Sequence, residues 1–506
     1  MAGMKGIMLQ GTSSDVGKSL VATLFCRILA QENVKITPFK SQNMSNNSYV
    51  TKDGLEIGRA QGIQAEAANT EPSAMMNPIL LKPQNDRSSE VILFGKRLHP
   101  MDGMDYRNEF YDTGKEAIQK ALHHLDKHFE AVVIEGAGSP VEMNLQSREL
   151  VNMAVAKMAD VPVILISDID RGGVFASIVG TLALLAEDER ARVKGIIINK
   201  FRGDRRLFDD GVKWLEDYTK IPVLGVLPYV EQHGIEQEDS LGVAAVSSGN
   251  SSTQPAALIV SVIELPYISN FTDIECLVQE RGAAVSWVKR PADLRSLPDL
   301  LLIPGTKSTI HSLRELKRLG WHEKLLQLQR SGVWIMGICG GFQMLGDRLT
   351  DPNGTDTGAA GSTETGFGMI SSSTVFRQEK QVKKRSGFIL SPAGEPLYPV
   401  KGYEIHLGKT IVQEDSTFSP FLKLENGELD GCFSNDKRII GTYLHDIFRE
   451  PASRTHILNE IRKSKGLMEA EGETKTAAGN VYDKLAEKLK PHLKWNEIRK
   501  IMGLET

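Results

Sequence analysis

The sequence predicts an α/β protein with two doubly wound parallel-sheet domains and a helical C-terminal tail. Three observations predict it. The chain has 506 residues, more than one ordinary core accommodates. Short β-branched runs alternate with amphipathic stretches in two separate series. A polar stretch rich in Ser and Gly, containing GIEQEDS and SSGNSSTQP, divides the two series.

In the first series, Ile7–Gln10 leads through a Gly/Ser turn into a helical pattern from Lys18 to Ala30. Further strand-like runs are Val34–Phe39, Ala131–Glu135, Val161–Ser167, Val193–Asn199 and Pro222–Leu227. The second series has Ala257–Ile263, Ala283–Val288, Asp299–Pro304 and Gly332–Ile338. These set expected boundaries of 1–235 for the first domain, 236–255 for a linker, 256–452 for the second domain and 453–506 for the tail. The Gly/Thr-rich run from Asp351 reads as an exposed loop, and Lys383, Lys384 and Arg385 as a short solvated loop cluster.

The net charge of -4 gives no global attraction to nucleic acid or an anionic membrane. No apolar run approaches the ~20 residues needed to span a bilayer, and the start, MAGMKGIMLQ, has no apolar signal region. Cys26, Cys276, Cys339 and Cys432 are widely spaced and form no CxxC pair, which argues against a disulfide framework or zinc site and suits a reducing cytoplasm. His123, His124 and His128 lie on one helical pattern with no Cys or carboxylate to complete a metal site, and read as a solvated face.

Two segments carry chemistry. The first is Gly11-Thr12-Ser13-Ser14-Asp15-Val16-Gly17-Lys18-Ser19, between a strand and a helix. Glycines let consecutive N–H groups face phosphate oxygens, and the helix start favours negative charge. Lys18 is placed to reach terminal phosphates and Ser19 to bind Mg²⁺. Five residues separate Gly11 from Gly17, one more than the common motif, and this longer loop resembles that of dethiobiotin synthetase and its relatives. Glu135 ends a strand and is a natural Mg²⁺ ligand. Lys40 ends another and suits a phosphate or substrate carboxylate. Asp53 is a second metal candidate, or simply the turn residue before Gly54.

The second segment is Gly337-Ile338-Cys339-Gly340-Gly341, after an apolar strand. Small neighbours permit the strained turn that exposes a nucleophile. The following helix start suits a nucleophile, and the backbone N–H groups of Gly340 and Gly305 are candidates to receive an oxyanion. His445, at the end of IIGTYL, is the candidate base. This segment resembles the class I glutamine amidotransferase domain, which implies a flavodoxin-like sheet. The chain departs from it in having Ile447 two residues after the His, where most such domains place Glu. The resemblance implies a Cys–His pair working without that third member.

The whole chain resembles the cobyric acid synthase family, through GTSSDVGKS, PFKSQNMSNNSYVTKDGLEIGRAQ, EGAGSPVEMNL, SDIDRGGVFAS, INKFRGD, PGTKST, GICGGFQMLG, GYEIHLGKT and GTYLHDIF. The resemblance implies a P-loop synthetase domain followed by a glutaminase domain, using ATP, Mg²⁺ and L-glutamine to amidate the b, d, e and g carboxylates of a corrinoid. It implies that Gln42, Asn43 and the neighbouring residues to Asn47, with Arg59-Ala60-Gln61, face that polyanion, although by composition alone these are polar loops. It implies that Asn199 contacts the nucleotide base, a strand-end cap being the alternative. Glu404 and His406 are further candidates for an interdomain site. The rival readings are cobyrinic acid a,c-diamide synthase, which shares both modules, and a non-enzymatic P-loop switch, in which Cys339 would have no purpose.

Overall fold

The computed structural model describes residues 4–84, 88–144, 148–231, 234–235, 258–278, 280, 282–413, 417–471 and 480–504. The expected linker lies outside them. Among the described residues no helix is long and apolar enough to cross a membrane.

The first domain is a six-stranded parallel sheet. Its strands run in the order Val223–Pro228, Val193–Phe201, Val163–Asp168, Gly6–Gly11, Ala131–Glu135, Ile36–Phe39. The central strands are buried along their whole length, which is why they read as continuous apolar runs. The phosphate loop leaves the central strand Gly6–Gly11 and enters helix Lys18–Gln31, whose Val21, Leu24, Phe25 and Ile28 are fully buried.

Beside this sheet lies an element that no local pattern in the sequence predicts. A four-stranded sheet is formed by Gln42–Met44, Ile79–Pro83, Ser88–Leu93 and Lys96–Asp102, with a separate hairpin of Ser48–Val50 and Glu56–Gly58. These strands are short and carry buried ionic side chains, so their apolar alternation is broken.

The second sheet has eleven strands. Its parallel half is ordered Ala283–Val288, Leu258–Ile263, Leu300–Ile303, Trp334–Ile338, Ile439–Thr442. It continues antiparallel through Leu429–Ser434 and Phe418–Leu424 into a long hairpin of Ser372–Leu390 and Pro396–Val412. That hairpin corrects one expectation: Lys383, Lys384 and Arg385 stand in a strand, and Arg385 pairs with Glu404 at 3.0 Å and Glu428 at 2.9 Å. The run from Asp351 is also more than an exposed loop. Asp351 is buried and accepts from the backbone N–H groups of Thr355, Asp356 and Thr357, while Asp356 caps helix Thr309–Arg318 through the N–H groups of Thr309 and Ile310.

The C-terminal region is helical but serves both domains. Helix Pro451–Ser464 buries Ile457, Leu458 and Ile461 in the second core. Helices Val481–Leu489 and Trp495–Ile501 return to the first, where Leu485, Leu489, Trp495 and Ile498 pack with Ile7, Leu9 and Phe25. Trp495 meets Phe25 edge-on at 5.2 Å, and Asp483 pairs with Arg27 at 2.6 Å.

A buried ionic cluster joins the two halves. Glu56 of the first domain pairs with Lys82 and with Lys380 of the second, both at 2.6 Å. Glu90 pairs with Lys307 at 2.7 Å and Lys380 at 2.9 Å. Burial opposes the charge on Glu90, yet Lys307 and Lys380 hold its carboxyl well below the usual range. Burial pulls Lys307 down to about 8 despite Glu90. Removing one partner from such a cluster strands a buried charge, so the seam holds as a set.

Candidate active sites

The phosphate loop is built as its sequence requires. Gly17 caps helix Lys18–Gln31 at φ 95°, and a Cβ there would stand 2.2 Å from the Asn199 amide. Only glycine satisfies both the backbone angle and the space. Lys18 curls back into its own loop, donating to the carbonyls of Ser13 at 3.0 Å and Gly138 at 3.1 Å. Thr12 is tied to the sheet, its hydroxyl 3.0 Å from that of Ser167. Asp15, at φ 59°, offers its carbonyl to Lys200 at 2.6 Å.

Glu135 is the hub of this end. Its Oε1 accepts from Ser19 Oγ at 2.8 Å and Lys40 Nζ at 2.9 Å, and its Oε2 from Gln64 Nε2 at 2.6 Å. Burial opposes its charge, but Lys40 and these hydrogen bonds hold the carboxyl below its usual range. Ser19, Lys40 and Glu135 therefore meet at one point. Asp53 does not join them: it is exposed in the turn between Val50 and Glu56, and the next residue, Gly54, faces Val382 of the second domain. Asn199 is buried and donates to the Val16 carbonyl at 2.8 Å, bracing the loop from behind. Gln42 accepts from Tyr106 at 2.6 Å, and Asn43 donates to Gln61 at 3.1 Å. Both sit within the small-sheet scaffold beside the loop.

At the other end, Cys339 caps helix Gly340–Leu345 at φ 52°, ψ -107°, a conformation that costs an L-residue energy. The surrounding glycines make the turn possible. A Cβ on Gly341 would fall 1.9 Å from the Ile303 carbonyl oxygen, and one on Gly337 would fall 2.6 Å from the Phe342 amide. Cys339 Sγ points at the carbonyl of Ile405, 3.6 Å away. A Cβ on Gly305 would fall 3.1 Å from the His445 ring, and one on Gly340 would fall 3.2 Å from the Thr306 amide, so the two glycines lie close to the segments that carry His445 and Thr306.

His445 is fully buried. Burial alone would lower its pKa, but hydrogen bonds and charge from Asp273 and Cys339 push it up to about 10. Its Nδ1 lies 3.0 Å from Asp273 Oδ2, a contact outside the expected Cys–His pair. Asp273 opens helix Thr272–Val278. An acid in a first helical turn is ordinary in sequence, because it complements the helix dipole, and nothing local marks this one. Asp446 faces elsewhere, accepting from Thr272 at 3.0 Å and pairing with Arg59 at 3.4 Å. His406 stacks on Tyr443 with ring centroids 3.9 Å apart, and Glu404 pairs with Arg385 at 3.0 Å.

One element connects the two ends. Helix Arg59–Ala67 carries Arg59, paired with the neighbour of His445, and Gln64, bonded to Glu135. Five residues of helix rise only ~7.5 Å.

Comparisons with known proteins match each half of the chain to a family model. Residues 7–240 match the CobQ/CobB/MinD/ParA nucleotide binding domain, and residues 259–453 match the CobB/CobQ-like glutamine amidotransferase domain. Cobyric acid synthase of Geobacillus sp. (strain WCH70) is 46% identical over 99% of this chain and 98% of its own length. That of Geobacillus thermodenitrificans is 44% identical over 99% of both chains. A solved glutamine amidotransferase aligns with 41% of this chain and 99% of its own at 12% identity and a TM-score of 0.30. With a nucleotide-binding half, a glutaminase half and this near-full-length identity, the chain belongs to the cobyric acid synthase family, whose members are glutamine-dependent amidotransferases.

Proposed function

We propose that the protein amidates the b, d, e and g carboxylates of adenosylcobyrinic acid a,c-diamide, using one ATP and one glutamine per amide. The observation that carries this reading is helix Arg59–Ala67, which reaches from Asp446, the neighbour of His445, to Glu135, which accepts from Ser19 of the phosphate loop. Two half-reactions so joined form one synthesis, and linkage raises the effective concentration of the shared ammonia.

At the phosphate loop, a substrate carboxylate oxygen attacks the terminal phosphorus of ATP, ADP leaves and an acyl phosphate forms. Lys18 turns from its loop carbonyls to the transferring phosphoryl group. The donor set there suits Mg²⁺, which takes few protein ligands beside phosphate and water. Ser19 and Glu135 would hold the ion, and it would supply charge neutralisation.

At the other centre, Cys339 Sγ attacks the glutamine amide carbon. The N–H groups of Gly305 and Gly340 receive the oxyanion. His445, whose protonated form Asp273 and Cys339 favour, gives its proton to the leaving nitrogen. Ammonia departs, and water then releases glutamate from the thioester. The ammonia attacks the acyl phosphate carbon, and phosphate leaves. Cys26, Cys276, Cys339 and Cys432 form no disulfide among the described residues, which suits a reducing cytoplasmic setting for this chemistry.

The test is mass spectrometry of the a,c-diamide after incubation with ATP, Mg²⁺ and glutamine. Four added amides are expected. A corrinoid that takes none, while its a,c-diacid precursor takes two, would replace this reading with a,c-diamide synthesis.

A further inference from the structure

We infer that Asp273 is a positioning residue for glutamine hydrolysis, holding the tautomer and orientation of His445, and that it does so from a segment anchored across the domain seam. The inference rests on the assignment of Cys339 and His445 above.

The geometry is specific. His445 Nδ1–H donates to Asp273 Oδ2 at 3.0 Å, with both side chains buried. The imidazole's other edge is turned toward Cys339, and Asn270 Nδ2 lies 3.5 Å from Nε2. The Tyr403 ring stacks on the imidazole at 5.3 Å, and the backbones of residues 403 and 445 exchange hydrogen bonds. The other charged groups near the pair are Asp446 and, beyond it, Arg59 and Arg449, which pair with Asp446. Asp273 is thus the carboxylate bonded to the imidazole. Its carboxyl is raised by burial, while the bond from His445 and the imidazole's charge favour the ionised form. A buried acid in this position fixes Nδ1–H, leaves Nε2 to exchange the proton with the thiol and the departing nitrogen, and stabilises the imidazolium between those events.

Asp273 is also held in place over four consecutive residues. The N–H of Ser269 donates to the Gly305 carbonyl at 2.9 Å. Asn270 Oδ1 accepts from the N–H of Ser48 at 3.0 Å, and the N–H of Phe271 donates to Asn47 Oδ1 at 3.3 Å. Thr272 Oγ1 donates to Asp446 at 3.0 Å. Two of these four anchors belong to the synthetase domain, so the orientation of the base depends on contact between the domains. A supporting acid two residues after the His would need no such anchoring. Here Ile447 occupies that position and is packed in the core.

The experiment compares Asp273→Asn, Asp273→Glu and Cys339→Ala in the full chain, scoring amidation of the corrinoid with glutamine and with ammonium. Asp273→Asn is nearly isosteric and is expected to lower kcat/KM for glutamine roughly 10²-fold, part of what a positioned acid–base supplies. Its ammonium-dependent rate should stay within about twofold, the scatter expected of a site left intact. The alkaline limb of the glutamine profile, set by the His445 proton, should move from about 10 toward neutrality. Asp273→Glu should restore part of the rate and the alkaline limb. An Asp273→Asn enzyme with unchanged glutamine use and an unmoved limb would overturn the inference, as would equal loss of the glutamine and ammonium rates in all Asp273 variants. Cys339→Ala separates the two claims: if it also keeps glutamine use, the underlying site assignment fails, and if it alone loses that use, only the role of Asp273 fails.

Discussion

The phosphate loop and the thiol elbow are the same structural device used with opposite economy. Each follows a central parallel strand and ends on a residue of positive φ that caps the next helix. At the phosphate loop that residue is Gly17, which adopts its conformation without a steric penalty. At the elbow it is Cys339, which must be a nucleophile and cannot be glycine. The strain is then accommodated by its neighbours, with Gly337 and Gly341 packed where no side chain fits. A backbone that only cradles an anion can relax, whereas one that projects a reactive atom is held under tension by its surroundings.

The strongest way to break this comparison is Lys18→Ala. Both nitrogen sources need the acyl phosphate, so amidation with glutamine and with ammonium should each fall by roughly 10³-fold. Loss with only one source would show that the two ends are not in series. Next is Trp495→Ala. The C-terminal helices pack on the first domain, so the substitution should cost about 3 kcal/mol of stability in the first domain's unfolding transition, measured by denaturant titration. A shift confined to the second domain would contradict the packing.

Gly341→Ala sharpens the elbow side. The added methyl meets the Ile303 carbonyl, so glutamine use should fall roughly 10²-fold through misplacement of Cys339, while ammonium-dependent amidation is spared. The smallest effect belongs to Arg59→Ala, which removes the partner of Asp446 at the end of the bridging helix. Amidation with glutamine should fall by about tenfold relative to amidation with ammonium, a typical coupling between sites. An unchanged ratio of the two rates would remove Arg59 from the link between the ends.

The two ends also differ in how much of them was legible in sequence. Both turns, their flanking strands and the residues Lys18, Ser19, Glu135, Cys339 and His445 follow from local pattern, because buried parallel strands are apolar and tight turns need glycine. Strand Ala131–Glu135 appears at the boundaries expected, and Ala283–Val288 likewise. What was not legible depends on distant contacts. Asp273 reaches His445 across 172 positions, and only the fold distinguishes it from a helix-start acid. The small sheet around Glu56, Lys82 and Glu90 hides its strands behind buried charges whose partners, Lys307 and Lys380, lie in the other domain. Asp53 illustrates the converse: a polar, turn-forming stretch suggested a metal ligand, but Asp53 is exposed and the next residue, Gly54, meets the Val382 carbonyl at the seam.

The most direct test of two centres working in series is the Cys339→Ala enzyme given ATP and the corrinoid, first with glutamine and then with ammonium at alkaline pH. Amide should form with ammonium and not with glutamine. Amide made from glutamine, or none made from ammonium by a correctly folded enzyme, would contradict the division of labour drawn from the two helix starts.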